Sequence, residues 1–378
     1  MRTDTFLEKK NRLIDGLLNR TDLYEDDVLN RTLNFVSANL GNFLPGIAVG
    51  DHESIFRNIL LNQKLSILEH QFPEVLDSAG YEGDRAKVVE SLKKAPAIIC
   101  TFHMGSNRLL NHFLAASKIS YALVIGSRMA GEEGEEFRRM YAEWYKNDTG
   151  KELEIIVAHE RIAALRMLRA IKSGKSLLLY IDGNTGAGDD STGNGNRCKI
   201  NFLSEAIYAR KGIAYVAHMA NVPIFPVVSY RKDLDNITLQ FWDPIFPKTG
   251  MRREVFAITT TQRIYDLFAP VLIKYPQQWE CWIYLHTIVK PDEFTPLPPG
   301  TPAAVPASER FVLNRNRYGF FNIGEEFYLL DKRTYTSYEV DDVIYKLLRK
   351  SLGGPIEKRD LDPEVLNQFI DNQVFIGI

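Results

Sequence analysis

The sequence predicts an α/β protein with a largely parallel sheet flanked by helices, a helical N-terminal region and a small C-terminal α+β domain. Three observations predict it. Short apolar runs alternate with amphipathic stretches from about residue 95 to 288, the pattern of strands joined by crossover helices. Helical spacing alone fills residues 1–93. A proline-rich segment, residues 290–308, sets off a last part at 309–378.

In the first 93 residues, Phe6, Leu13, Ile14, Leu17 and Leu18 recur at helical spacing, as do Ile55, Ile59, Leu60, Leu65 and Leu68. The break Asn42-Phe-Leu-Pro-Gly46 separates two helical blocks. Mixed charge and the lack of a strong basic face argue for packing on the main domain rather than for lying on a membrane. In the domain expected at 94–289, strands are read at Ala97–Phe102, Ser120–Ile125, Leu153–Val157, Ser176–Ile181, Ile224–Ser229 and Ile237–Trp242. Helices are read at Gly105–Ala116, Glu132–Lys146, His159–Ile171, Ser204–Ala220 and Val255–Lys274. Beyond the linker, Arg310–Leu313, Glu326–Leu330 and Tyr335–Tyr338 read as strands, and Asp341–Ser351 and Pro363–Asn372 as helices.

Composition narrows the function classes. The 378 residues carry a net charge of −2, which gives no basic field for nucleic acid, and no nucleic-acid motif occurs. Cys100, Cys198 and Cys281 show no C-x-x-C spacing and suit a reducing compartment. No run reaches the roughly 18 apolar residues of a membrane span, and the first residues lack the apolar core of a signal peptide. A cytoplasmic protein without stable membrane insertion is expected. The glycine-rich stretch after Asp182 contains no G-x-x-x-x-G-K-[ST], and its acidic positions do not follow a calcium loop. No metal and no cofactor are expected.

His103 is the candidate for chemistry. It stands in Thr101-Phe-His-Met-Gly-Ser-Asn-Arg108, at the carboxyl end of the first strand of the α/β region, the edge where open parallel sheets bind ligands. A neutral imidazole there can take a proton from an alcohol or amine attacking an acyl group. Gly105 permits close backbone approach, and Ser106 or Asn107 can cap the next helix. A buried, hydrogen-bonded histidine is the plainer alternative. Paired tryptophans in Pro276-Gln-Gln-Trp-Glu-Cys-Trp282 read ordinarily as core. Cys100 is a conceivable nucleophile, although a thiol inside a buried strand is usually inert.

Taken in order, several segments resemble the lysophospholipid acyltransferase superfamily, nearest to the late acyltransferases of lipid A biosynthesis. Thr101-Phe-His103 resembles the catalytic histidine block, and Gly126-Ser-Arg128 the following strand with its arginine. Lys172-Ser-Gly-Lys-Ser-Leu-Leu-Leu-Tyr-Ile-Asp182 is similar to the strand ending in an acidic residue. Ile200-Asn-Phe-Leu203 and Arg210-Lys-Gly-Ile-Ala214 resemble the segment before the next helix, and Asn221-Val-Pro-Ile-Phe-Pro-Val-Val228 the proline-containing block. Pro276-Gln-Gln-Trp279 with Trp282 is the most specific match. The resemblance implies a glycerolipid acyltransferase-like fold and acyl transfer from a thioester on a carrier protein or coenzyme A to an alcohol or amine. His103 would be the base. Arg128, or main-chain amides near Gly105 and Ser106, would hold the oxyanion, and Gly105, Ser106, Asn107, Arg108 and Glu205 would line the substrate.

One departure matters. The family pattern places Asp or Glu five positions after the histidine, and here that slot holds Arg108. A carboxylate there would orient the imidazole, whereas a cation opposes imidazolium formation. Three outcomes stay open. Asp182, or next Glu205, could reach His103; the acceptor could be an easy nucleophile; or the site could bind acyl groups without turnover. Hydrolysis of the same thioester is a further outcome. The absence of an apolar anchor points to substrates carried to the protein, such as acyl groups on an acyl or peptidyl carrier protein. Residues 324–348 resemble the PqqD-like winged-helix modules, which implies a peptide or carrier partner bound by strand addition.

Overall fold

The computed structural model describes residues 5–146, 152–183, 196–248, 250–296 and 308–378. The expected linker lies mostly outside them, as does most of the glycine-rich stretch after Asp182. The described chain forms helices α1 (Phe6–Leu18), α2 (Asp27–Phe43), α3 (His52–His70), α4 (Arg85–Lys94), α5 (Leu109–Ala116), α6 (Ser127–Trp144), α7 (Ala163–Lys172), α8 (Gly212–Ala220), α9 (Arg253–Lys274), α10 (Asp342–Gly353) and α11 (Pro363–Asp371). Its strands are β1 (Gly80–Glu82), β2 (Ile98–Thr101), β3 (Tyr121–Ile125), β4 (Glu154–Val157), β5 (Ser176–Tyr180), β6 (Arg197–Phe202), β7 (Glu205–Arg210), β8 (Ile224–Arg231), β9 (Ile237–Phe241), β10 (Arg310–Leu313), β11 (Tyr318–Ile323), β12 (Glu326–Asp331), β13 (Thr336–Val340), β14 (Ile356–Glu357) and β15 (Phe375–Gly377).

By its contacts the chain divides into two units. The first holds Met1–Asn19, Arg57–Phe202 and Ile207–Cys281; the second holds Arg20–Phe56, Leu203–Ala206 and Trp282–Ile378. The first unit contains a seven-stranded sheet in the order β1-β9-β8-β2-β5-β3-β4. β8, β2, β5, β3 and β4 run parallel, while β9 pairs antiparallel with β8. The central strands read as near-continuous apolar runs because helices cover both faces of such a sheet. β2, β3 and β8 are accordingly buried at every position. Leu109, Phe113, Tyr121, Leu123, Phe137 and Tyr141 belong to one apolar core under α5 and α6. No helix among the described residues is long and apolar enough to cross a membrane.

The sequence expects a helix from Ser204 to Ala220, and the structure corrects it. Glu205–Arg210 is strand β7, paired with β6, and α8 starts only at Gly212. Burial alternates at Glu205, Ile207 and Ala209, a period of two that suits a strand. Leu203 takes φ 55° to make the reversal between the two strands. The helix expected from Gly105 begins at Leu109 instead, which leaves residues 105–108 as a loop. β11 was not foreseen in the second unit. There β14-β10-β15 and β11-β12-β13 form two three-stranded sheets. Phe311, Phe320, Leu329, Tyr345 and Leu348 fill the core of that unit.

Candidate active site

Sheet register builds the site. β2 pairs in parallel with β5, with Thr101 opposite Tyr180. Two residues further along each strand come His103 and Asp182, so two adjacent strand ends deliver an imidazole and a carboxylate side by side. His103 Nδ1 lies 2.8 Å from Asp182 Oδ1. The His103 main-chain N–H donates to Asp182 Oδ2 at 2.8 Å, and the Trp279 indole N–H donates to the same oxygen at 2.8 Å. The Asp182 side chain is 2% exposed and that of His103 is 25% exposed. The Tyr180 ring stacks on the imidazole with centroids 4.3 Å apart. Nε2 has no hydrogen-bond partner among the described residues.

The electrostatics follow from this geometry. Burial pushes the His103 imidazole down, but the charge and hydrogen bond of Asp182, helped by Glu280, outweigh it and leave the group above its ordinary value. Arg108 acts in the opposite direction without prevailing. Burial pushes the Asp182 carboxyl up, yet His103 and the Trp279 indole hold it below the usual aspartate value. Burial raises the Cys100 thiol, which sits inside β2 and stays protonated.

The Pro276–Trp282 segment clamps the histidine loop. Met104 bridges Trp279, the Gly105 N–H donates to the Gln278 carbonyl at 3.1 Å, and the Glu280 N–H donates to the His103 carbonyl at 2.9 Å. The Gln278 side chain closes the other side, accepting from the Arg231 N–H and donating to the Arg231 carbonyl, both at 2.7 Å. Gly105 takes φ 56°, and a Cβ there would sit 2.8 Å from the Ser229 carbonyl oxygen and the Tyr230 Cα. Only glycine fits this crossing. Beneath the loop, Ser106 Oγ donates to Glu69 at 2.5 Å, and Glu69 is gripped by the Arg231 guanidinium at 2.5 and 2.6 Å.

The other candidate residues fall as follows. Arg108 fills the slot of the missing acid and forms a two-point pair with Glu133 of α6. Asn107 reaches Glu280 at 3.5 Å. The Gly105 amide is spent on Gln278, so it is not an oxyanion donor. The Ser106 and Asn107 amides have no acceptor among the described residues. Arg128 is corrected as an oxyanion ligand: its side chain is 88% exposed and pairs with Glu132 one helical turn on. Glu205 is the second candidate partner of His103. It belongs to the second unit, where it accepts from Arg333 at 2.8 Å and from the Thr295 N–H at 3.0 Å. The tryptophan pair read as core is buried as expected, but Trp279 also touches the carboxylate. Sequence reasoning missed Tyr180, Glu69 and Arg231. A buried indole needs an acceptor, and a charge at the end of an apolar strand such as Ile224–Arg231 needs a counter-charge; these were the available signals.

His103, Asp182 and Cys281 also bring one ligand atom each within 4.8 Å of one another, the spacing of a metal site. Both Asp182 oxygens already accept hydrogen bonds, and the Cys281 thiol donates to the Asp182 carbonyl at 3.2 Å. A cation there would have to displace the indole and imidazole donors.

No family model and no curated protein matches the chain. Among solved structures, the chain is similar to the 1-acyl-sn-glycerophosphate (LPA) acyltransferase PlsC from Thermotoga maritima at 14% identity and a TM-score of 0.32, covering 64% of this chain and 96% of that one.

Proposed function

We propose that the first unit is an acyltransferase that moves an acyl group from a thioester to an alcohol or amine. The observation that carries this reading is the asymmetric imidazole: Nδ1 held by a buried carboxylate, Nε2 without a partner among the described residues at a partly exposed edge of the sheet. With the Nδ1 proton directed at Asp182, Nε2 keeps a lone pair for the acceptor. The acceptor O–H or N–H gives its proton to Nε2 as the oxygen or nitrogen attacks the thioester carbonyl. The tetrahedral intermediate then collapses, the C–S bond breaks, and the imidazolium returns the proton to the leaving sulfur. Asp182 stabilises the imidazolium in between. The Ser106 and Asn107 amides are the donors proposed for the oxyanion. Donors of this kind are commonly worth about 3 kcal/mol each. The ordered resemblance of the sequence to the lysophospholipid acyltransferases supports the same chemistry.

The donor is proposed to arrive on an acyl or peptidyl carrier protein or on coenzyme A. A winged-helix-like, PqqD-like role is proposed for the C-terminal strands. β13 lies at the edge of its sheet, paired with β12, and is exposed over most of its length, the setting in which a partner segment adds as a strand. The test incubates purified protein with an acyl-carrier thioester and a panel of alcohols and amines, read by mass spectrometry. The acylated acceptor is expected with the wild type and not with His103→Ala. Free acid alone would assign hydrolysis. Consumption of thioester at the uncatalysed rate would leave a binding scaffold.

A further inference from the structure

The second unit contains a buried cationic cluster that the acyl-transfer chemistry does not use. Ser37 on α2, His52 at the start of α3 and Lys332 just after β12 are 5%, 4% and 6% exposed. Lys332 Nζ donates to Ser37 Oγ at 2.9 Å and to the Arg315 carbonyl at 2.8 Å. Ser37 Oγ lies 2.8 Å from His52 Nδ1. An ammonium can only donate, so Ser37 accepts from it and passes its own proton to Nδ1. The neutral imidazole then carries its proton on Nε2, and that buried atom has no hydrogen-bond partner among the described residues. Lys332 makes no salt bridge among the described residues. The carboxylate of Glu53 is taken by Arg315 at 2.8 Å and by Tyr24. Asn34, Ser37, His52, Arg315, Gly319 and Lys332 help to line a cavity of about 20 Å³. That is room for slightly more than one water-sized group.

A buried ammonium without a counter-charge must lose its proton or gain an anion. We propose that this cavity binds one small carboxylate-type anion, held by Lys332 Nζ–H and His52 Nε2–H. Both residues line the same cavity, and the missing charge is negative. The charged groups facing the cluster are Arg315 from the segment after β10, Glu53 from α3 and Asp51 beside His52. Burial, together with the Arg315 charge, lowers Lys332 to about 7, so the ammonium that the anion needs is present mainly below neutral pH.

The test titrates the full chain with [¹³C]formate in chloride-free buffer of constant ionic strength, read by ¹³C line broadening. Saturable binding is expected at pH 6.0 and should be about 30-fold weaker at pH 8.5, the ratio of protonated Lys332 at the two values. Binding should vanish in Lys332→Met and weaken at least about tenfold in His52→Leu, both checked for fold by circular dichroism, and persist in the surface control Lys346→Met. Peptides ending in a free carboxylate, compared with their amides, decide whether the natural source is a free acid or a chain terminus; competition with formate by the free-carboxylate form alone assigns the terminus. Non-saturable broadening, binding unchanged in folded Lys332→Met, or equal binding at both pH values would overturn the proposal. Should neither variant fold, the pH ratio in the wild type decides it.

Discussion

Replacing Asp182 by asparagine keeps the size of a buried side chain and removes its charge. The carboxylate accepts at least three hydrogen bonds, among them two at Oδ2 from the His103 main chain and the Trp279 indole. The asparagine oxygen can keep those two. Its NH₂ then faces Nδ1, which must become an acceptor. The imidazole proton moves to Nε2, the atom that should receive a proton from the acceptor. Loss of a positioned general base costs about 10²–10⁴ in rate, and loss of the orienting carboxylate in a comparable triad about 10⁴. We expect kcat/KM to fall about 10³-fold, equivalent to about 4 kcal/mol. The pH profile should also change. In the wild type, kcat/KM rises as the imidazole deprotonates, with a midpoint above 6.5 because Asp182 raises it. The variant keeps the burial that lowers the imidazole and loses the charge that raised it, so its ascending limb moves to lower pH. The assay is steady-state acyl transfer from a thioester between pH 5 and 9. Activity within threefold of wild type with an unmoved limb would refute the reasoning.

Other outcomes follow from the same contacts. Arg231→Met leaves Glu69 uncompensated in a site where both side chains are at most 2% exposed, and should cost about 3–5 kcal/mol in denaturant unfolding, while Ser106→Ala should cost about 1–3 kcal/mol. Gly105→Ala forces a Cβ against the Ser229 carbonyl at a left-handed φ, and should cost at least about 1–3 kcal/mol and most of the activity. Arg128→Ala should leave acyl transfer within threefold of wild type, since an exposed pair with Glu132 is worth at most about 1 kcal/mol. Lys332 is lowered from 10.5 to about 7 on folding, so it destabilises the fold increasingly as pH falls from about 10 to about 7, and constantly below that. Lys332→Met should remove this slope and raise stability at pH 7 by up to about 5 kcal/mol, read as denaturant midpoints across that range.

The parallel strands were legible because they are buried on both faces and carry uninterrupted apolar runs. Their ends carry polar residues, so His103 and Asp182 stand out at the edges of Ala97–Phe102 and Ser176–Ile181. That β5 lies beside β2 was not legible. Parallel neighbours are chosen by crossover geometry, not by local pattern, and β5 follows two intervening strands. The register that sets Thr101 against Tyr180 therefore had to come from the structure. Arg128 was misjudged for a related reason. Its resemblance to the family's arginine-bearing strand implies the site, but it falls in the first turn of α6, where its side chain reaches Glu132 and solvent. Glu205 reads as the start of a helix, but after the hairpin reversal at Leu203 it opens strand β7. The Glu69–Arg231 pair links residues 162 apart in sequence, and no local pattern reports such a contact.

The carboxylate-oriented imidazole is tested most directly by ¹⁵N spectra of protein labelled at histidine, recorded from pH 5 to 9. We predict that the neutral ring of His103 carries its proton on Nδ1, with Nε2 bare, and that it titrates above 6.5. A neutral ring protonated on Nε2, or one that titrates below 6.5, would contradict the account.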